Sequence, residues 1–383
     1  MRPTAFSSTR RWRLPAMGLV ALLCALPTSL VAAETFQSRY HDYRVETVVD
    51  GLEHPWSMVF LPDGDQLVTE RAGRLRRIQQ GTLVAEPVAG VPELVVAGQG
   101  GLLDILLHPD FADNRILLLS YSHSNMDGMT TRVAKARYRD GRLEDVEVIF
   151  EALPRSNTSR HFAGRMAFDE DGSLYIAVGD RGEMDRAQAT DDDAGGVHRI
   201  SLDGKPAPGN PWLNEPDVND TFFTYGNRNI QGMVRHPRTG AIWSHEHGPR
   251  GGDEINILTR GTNYGWPEIT YGIGYSGLPI TDQTHKPGMA QPLHYWDPSI
   301  APSGMDFYFG EAFPQWQGDL FVGALKFQKL VRLRINDKLE VVEEEDLLTD
   351  LNDRIRAVYQ GPDDALWVLT DETNGRVLRL TPP

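Results

Sequence analysis

The sequence predicts an all-β fold, a six-bladed β-propeller occupying residues 34–383, and three observations carry that prediction. Short β-branched and aromatic runs alternate with Gly, Pro and Asp turns throughout, with no long stretch of helical apolar spacing. One phrase recurs six times: an apolar strand, a Pro/Asp/Gly turn, a second apolar strand, then a strand that mixes basic and apolar residues. No linker or low-complexity segment divides the chain after residue 34, which predicts one domain, since all-β architectures often run to this length as a single unit.

The first 33 residues stand apart. Arg2, Arg10, Arg11 and Arg13 precede an apolar run from Leu14 to Val31, and small residues close it before Glu34. This is the pattern of a signal peptide cleaved after Ala33. Interrupted by Pro15 and Pro27, the run is short for a membrane span of roughly 20 residues. The segment from Thr9 to Leu14 faintly resembles a twin-arginine signal, although Arg13 stands where a large apolar residue is usual, so both export routes stay open. Cys24, the sole cysteine, lies inside this segment behind Leu23, where a lipid-anchor signal wants a small residue. The expected mature chain is therefore periplasmic or secreted, spans no membrane and has no disulfide. Removing the four leader arginines takes 38 basic and 53 acidic residues to 34 and 53, a net charge of −19. Such a charge disfavours nucleic acid and anionic lipid as partners.

The six copies follow in order. They are SMVFLPDGDQLVTERAGRLRRI (57–78), LLDILLHPDFADNRILLLSYSH (102–123), RMAFDEDGSLYIAVGDRG (165–182), GMVRHPRTGAIWSHEHGPRGGDEINIL (232–258), GMDFYFGEAFPQWQGDLFVGALKFQKLVRLRI (304–335) and AVYQGPDDALWVLTDETNGRVLRLTP (357–382). Intervals between corresponding turns run from 47 residues (Pro62 to Pro109) to 77 (Pro237 to Pro314), so loops are inserted on one face. YRVETVVDGL (43–52) is expected to close the ring by pairing with the last blade.

In a propeller, residues at one phase of the repeat share one rim of the central channel. Upstream of the first turn in successive copies stand Gln99, His161, Arg228 with Asn229, and Arg354 with Arg356. A single arginine there is ordinarily a surface residue, but repeated cations on one rim of an acidic protein point to an anionic ligand. Lys326, following LFVGAL, is placed to join them. Asp180, at the end of LYIAVGD, stands where it would orient the His161 imidazole as a general base, although a lone His is more often structural. The fourth copy carries HEHGPRGGDE (245–254), with Glu246, Asp253 and Glu254 around a Gly-Pro turn; these oxygens suit calcium or a solvated acidic turn equally.

The motifs GQGGLLDILLHPDF, HFAGRMAFDEDGSLYIAVGDRG, TYGNRNIQGM, EHGPRGGDEINILTRGTNYGWP, APSGMDFY and RIRAVYQGPDDALWVLTD, taken together and in this order, resemble the soluble glucose and aldose sugar dehydrogenases. Those enzymes hold pyrroloquinoline quinone (PQQ) and calcium on a six-bladed propeller. The resemblance implies that His161 is the catalytic base, with Asp180 beside it, and that Arg228, beside the cofactor-binding Asn229, meets the quinone oxygens. It implies that Gln99 contacts the cofactor, while Lys326, Arg354 and Arg356 pair with its three carboxylates. It further implies that Gly248 and Pro249 supply backbone carbonyls to a bridging calcium, and that Glu246 with Tyr264 serves a second, structural calcium. The expected reaction oxidises an aldose at the anomeric carbon to an aldonolactone and delivers electrons to an external acceptor. HYWDPSIAPSG (294–304) matches the glucose-using members only around APS, which favours the broader aldose branch.

Two other readings of the residues stand beside this one. A calcium-dependent propeller lactonase would need carboxylate and Asn ligands in the channel and has no use for Lys326, Arg354 and Arg356. A non-catalytic binding propeller leaves His161 without a role.

Overall fold

A computed structural model describes residues 34–383. The expected signal peptide, residues 1–33, lies outside the described residues.

Six sheets succeed one another along the chain, antiparallel except where Thr262–Asn263 adds a parallel edge to the third, so the all-β six-bladed propeller is what the structure contains. Their innermost strands are Pro55–Phe60, Leu102–Leu107, Met166–Phe168, Ile230–Arg235, Pro302–Phe307 and Ile355–Gln360. Each adjoins the next, and the sixth adjoins the first. Each repeat recognised in the sequence supplies the first strands of one blade. The sixth blade takes its fourth strand from the other end of the chain: Asp42–Leu52 pairs with Gly375–Thr381, with Val45 opposite Leu380 and Thr47 opposite Leu378. This closure, expected from YRVETVVDGL, removes the free sheet edges that an open ring would expose.

The core is six interfaces between neighbouring blades rather than one centre. In the first blade's second strand, Leu67 packs toward the second blade and Val68 toward the sixth. In the sixth, Leu366 and Val368 face the fifth blade while Trp367 and Leu369 face the first. A strand covered on both faces has no solvent side, so these strands read as continuous apolar runs instead of alternating ones.

Two long insertions interrupt the blades. Residues 201–221 separate the third and fourth strands of the third blade, Gly196–Ile200 and Phe222–Tyr225. Residues 258–293 leave the fourth blade after Asp253–Ile257 and return at His294–Trp296, bringing Trp266 and Tyr275 over the channel.

Candidate active site at the channel mouth

The rim is built from two kinds of position. Residues leading into the inner strands include His54, Gln99, His161, Arg228, Asn229 and Arg354; residues just past the second strands include Arg71, His247, Lys326 and Asp371. Backbone shape aims some of them. His161 has φ 48° and His54 φ 45°, left-handed values that turn the chain sharply into the strand. Gly179 makes this approach feasible in the third blade, because a Cβ there would lie 2.2 Å from the His161 carbonyl oxygen.

His161 and Asp180 meet directly. Nδ1 of His161 donates to Oδ1 of Asp180 at 2.5 Å. The same carboxylate accepts from Gly182 N at 2.7 Å and from Trp266 Nε1 at 2.8 Å. Burial works against ionisation of Asp180, but His161, Arg228 and the Gly182 N–H outweigh it and hold the carboxyl below its ordinary range. With Nδ1 carrying the proton, Nε2 of a neutral His161 is the lone-pair nitrogen. Gln99 fixes the backbone behind it, its Oε1 accepting from His161 N at 2.7 Å.

These groups line a cavity of about 590 Å³ with Arg228, Pro249, Trp266 and Tyr275. The Arg228 guanidinium lies 5.3 Å from the Trp266 ring centre and 6.0 Å from that of Tyr275. Gln99 also borders a second cavity, of about 680 Å³, into which Asn229, Lys326, Arg354 and Arg356 converge with His54, Arg71 and Trp56. Gln99 therefore marks where a cationic chamber joins a chamber carrying a base.

The cationic chamber fits an organic polyanion. Arg356 is buried, donates to Asp371 at 2.6 Å and leaves its Nε without a partner; Arg228 likewise has an orphaned buried Nε. Among the described residues, Lys326 has no carboxylate within 4.0 Å. His247 lines the same chamber, and burial pushes its pKa down to about 3, so the ring is neutral and its Nε2 donates to the Pro302 carbonyl at 2.5 Å.

The expected calcium residues lie together beside Arg228. Glu246 accepts from Asn227 Nδ2 at 2.8 Å and from Arg228 N. The Gly248 carbonyl accepts from Arg228 Nη1 at 3.2 Å. The Tyr264 hydroxyl is engaged within its own loop, donating to Ile257 O at 2.7 Å and accepting from Thr259 N at 3.0 Å. Glu254 faces Glu246 across adjoining strands, and burial together with that neighbour pushes its carboxyl up to about 8. Asp253 ties the turn together, accepting from Gly248 N, Ser299 Oγ, Ile300 N and Ala301 N. Among the described residues no group of three or more His, Cys, Asp or Glu side chains is arranged to hold a metal. A cation here would draw on the Glu246 carboxylate, on backbone carbonyls and on oxygens of a bound ligand.

Sequence reasoning missed His54, Arg71, His247, Asp371, Trp56 and Trp266. The position just past each second strand was a usable signal for three of them, Arg71, His247 and Asp371, since it recurs as regularly as the one upstream of the first turn.

Fold and site together define a propeller whose channel mouth joins a buried His-Asp pair to a cationic chamber. A family model described as glucose/sorbosone dehydrogenase matches residues 52–379. An aldose sugar dehydrogenase of Escherichia coli K12 is 43% identical over 370 residues, covering 95% of this chain and 98% of the relative. The solved apo form of the soluble aldose sugar dehydrogenase from Escherichia coli superposes with a TM-score of 0.86 at 43% identity, over 89% of this chain and 100% of that one. The PQQ-bound form of an aldose sugar dehydrogenase from Streptomyces coelicolor gives a TM-score of 0.73 at 27% identity, over 88% and 98%. The chain belongs to the glucose/sorbosone dehydrogenase family. Among the described residues no helix is long and apolar enough to cross a membrane.

Proposed function

We propose that this protein is an exported quinoprotein that oxidises aldoses at the anomeric carbon to aldonolactones, with PQQ as oxidant and calcium as its partner ion. The observation that carries the proposal is the junction at Gln99 of a chamber presenting Lys326, Arg354 and Arg356 with one presenting His161. The first matches a flat tricarboxylate, because guanidinium groups bind carboxylates in a planar, two-point manner. The second has the volume and polarity for a sugar. A lactonase reading, by contrast, has no use for these cations.

When bound, PQQ supplies a two-electron acceptor for the anomeric hydride, and calcium held by the Gly248 and Pro249 carbonyls polarises the quinone. Glu246, with Tyr264, is proposed to support a second, structural calcium. His161 takes the anomeric hydroxyl proton on Nε2. Asp180 keeps Nδ1 as the donor and stabilises the imidazolium that results. Arg228 and Asn229 face the oxygens on which negative charge accumulates. Trp266 holds Asp180 and, with Tyr275, walls the reaction chamber. An external acceptor then removes the electrons. Residues 1–33 are proposed to act as the leader that delivers the chain to the periplasm or medium.

The test loads purified apo-protein with PQQ and calcium and follows dye reduction on adding aldoses. We expect reduction with several aldoses, and His161→Ala is expected to retain the quinone spectrum while losing turnover. Absence of both spectral change and dye reduction in the wild type refutes the proposal.

A further inference from the structure

The rim carries a second imidazole-carboxylate pair built like the first. His54, with its left-handed φ of 45°, leads into the first inner strand, and its Nδ1 lies 2.9 Å from Asp371 Oδ1. Asp371 follows the second strand of the sixth blade, Leu366–Thr370, much as Asp180 follows Leu174–Ala177 in the third. Those blades are opposite one another in the ring, so one pair serves the reaction chamber and the other the cationic chamber.

Their surroundings differ. Asp180 is shared among His161, Trp266 and Gly182, whereas Asp371 also accepts from Arg356 at 2.6 Å and Arg354 at 3.3 Å. Burial opposes ionisation of Asp371, but Arg356, His54 and Arg354 together hold it well below the ordinary carboxylate range. The charged groups around His54 are Asp371, Glu372, Arg354 and Arg356 from the sixth blade, Arg71 and Glu53 from the first, and Lys326 from the fifth. Glu53 is drawn toward Arg74 at 2.7 Å, and Glu372 accepts from the Arg354 backbone at 3.3 Å, so Asp371 is the one carboxylate bonded to the ring. The His54 side chain is 30% exposed, lines the chamber, and has no partner for Nε2 among the described residues.

Arg71, Lys326, Arg354 and Arg356 line the chamber with His54, so the carboxylates of a ligand held by these cations come beside its open Nε2. Three such carboxylates bring negative charge that favours an imidazolium. We infer that His54 is a further cofactor-binding residue, which takes a proton from solvent when a polycarboxylate fills the chamber and donates to it from Nε2. The inference rests on the proposed reading of this chamber as the PQQ site.

The experiment titrates apo-protein with PQQ by calorimetry, in phosphate and in Tris, so that the difference in heat reports protons taken up. His54→Asn is the informative variant, because Asn tolerates the left-handed backbone. Any proton taken by His161 is common to both proteins and cancels. At about pH 8 the wild type should take up more protons than the variant, by up to about one. Near pH 7 the variant should bind roughly tenfold more weakly, with the gap closing toward about pH 9. Asp371→Asn, which removes the Nδ1 anchor, should also lose the uptake, and thermal unfolding of both variants reports whether either is misfolded. Equal uptake in wild type and variants overturns the inference while leaving the cofactor reading intact, even if affinity falls. Failure of the wild type to bind PQQ overturns both.

Discussion

Replacing Asp180 by Asn is the sharpest probe of the base, because the structure allows the amide no satisfactory orientation. Three N–H groups converge on the carboxylate: His161 Nδ1 and Gly182 N on Oδ1, and Trp266 Nε1 on Oδ2. An Asn that keeps its oxygen toward His161 turns its own NH2 against the indole N–H. The flipped rotamer points NH2 at His161 Nδ1, which forces the imidazole into the tautomer with hydrogen on Nε2 and removes the lone pair that accepts the substrate proton. The first outcome leaves a buried donor unpaired, at a cost of about 1–3 kcal/mol in stability. The second removes general-base catalysis, worth about 10²–10⁴ in rate. Because Asp180 borders the reaction chamber and not the cationic one, affinity for PQQ should change little. Stopped-flow dye reduction at saturating aldose, with a parallel PQQ titration, separates these effects. If kcat stays within about threefold of wild type and urea unfolding shows no loss of stability, neither orientation carries its cost, His161 does not depend on Asp180 for its tautomer, and the base assignment fails.

Three further perturbations test other parts of the structure. Gly179→Ala places a methyl group 2.2 Å from the His161 carbonyl oxygen and 3.0 Å from Asn229 Oδ1, so the rim must move. We expect a stability loss of about 1–3 kcal/mol by urea unfolding and at least about a tenfold fall in kcat. Arg356→Ala removes a buried guanidinium from the cationic chamber and should weaken PQQ binding by roughly a hundredfold, measured by fluorescence titration; unchanged affinity excludes Arg356 from the site. At the far mouth of the channel, burial pushes Asp306 from 3.8 up to about 7. A raised acid keeps its proton in the folded chain while the unfolded chain ionises, so it erodes stability as pH rises from about 4 to about 7. Asp306→Asn should flatten that decline in urea unfolding across the interval, and an unchanged pH profile refutes the assignment.

What the sequence disclosed about this site follows from how a propeller converts order into place. Position within a repeat is conserved by the geometry of the ring, so the upstream phase brought out Gln99, His161, Arg228, Asn229, Arg354 and Arg356, and the structure sets all of them on one rim. The ring closure was legible for a related reason: a strand-like run before the first repeat has nowhere else to pair when the last blade lacks an outer strand. Contacts that join different phases of different blades were hidden. His54 and Asp371 are 317 residues apart and meet only because the ring closes, and Trp266 reaches Asp180 from an inserted loop of another blade, 86 residues away. No local pattern specifies an insertion's path across a rim, whereas the register of paired strands specifies where a blade's own residues fall. The blades are also buried on both faces and hence nearly uniform in apolar character, so polar side chains become informative where a strand meets the rim. The site consists of departures from a repeat whose interior admits few, which is why its cations and its base were readable while their second partners were not.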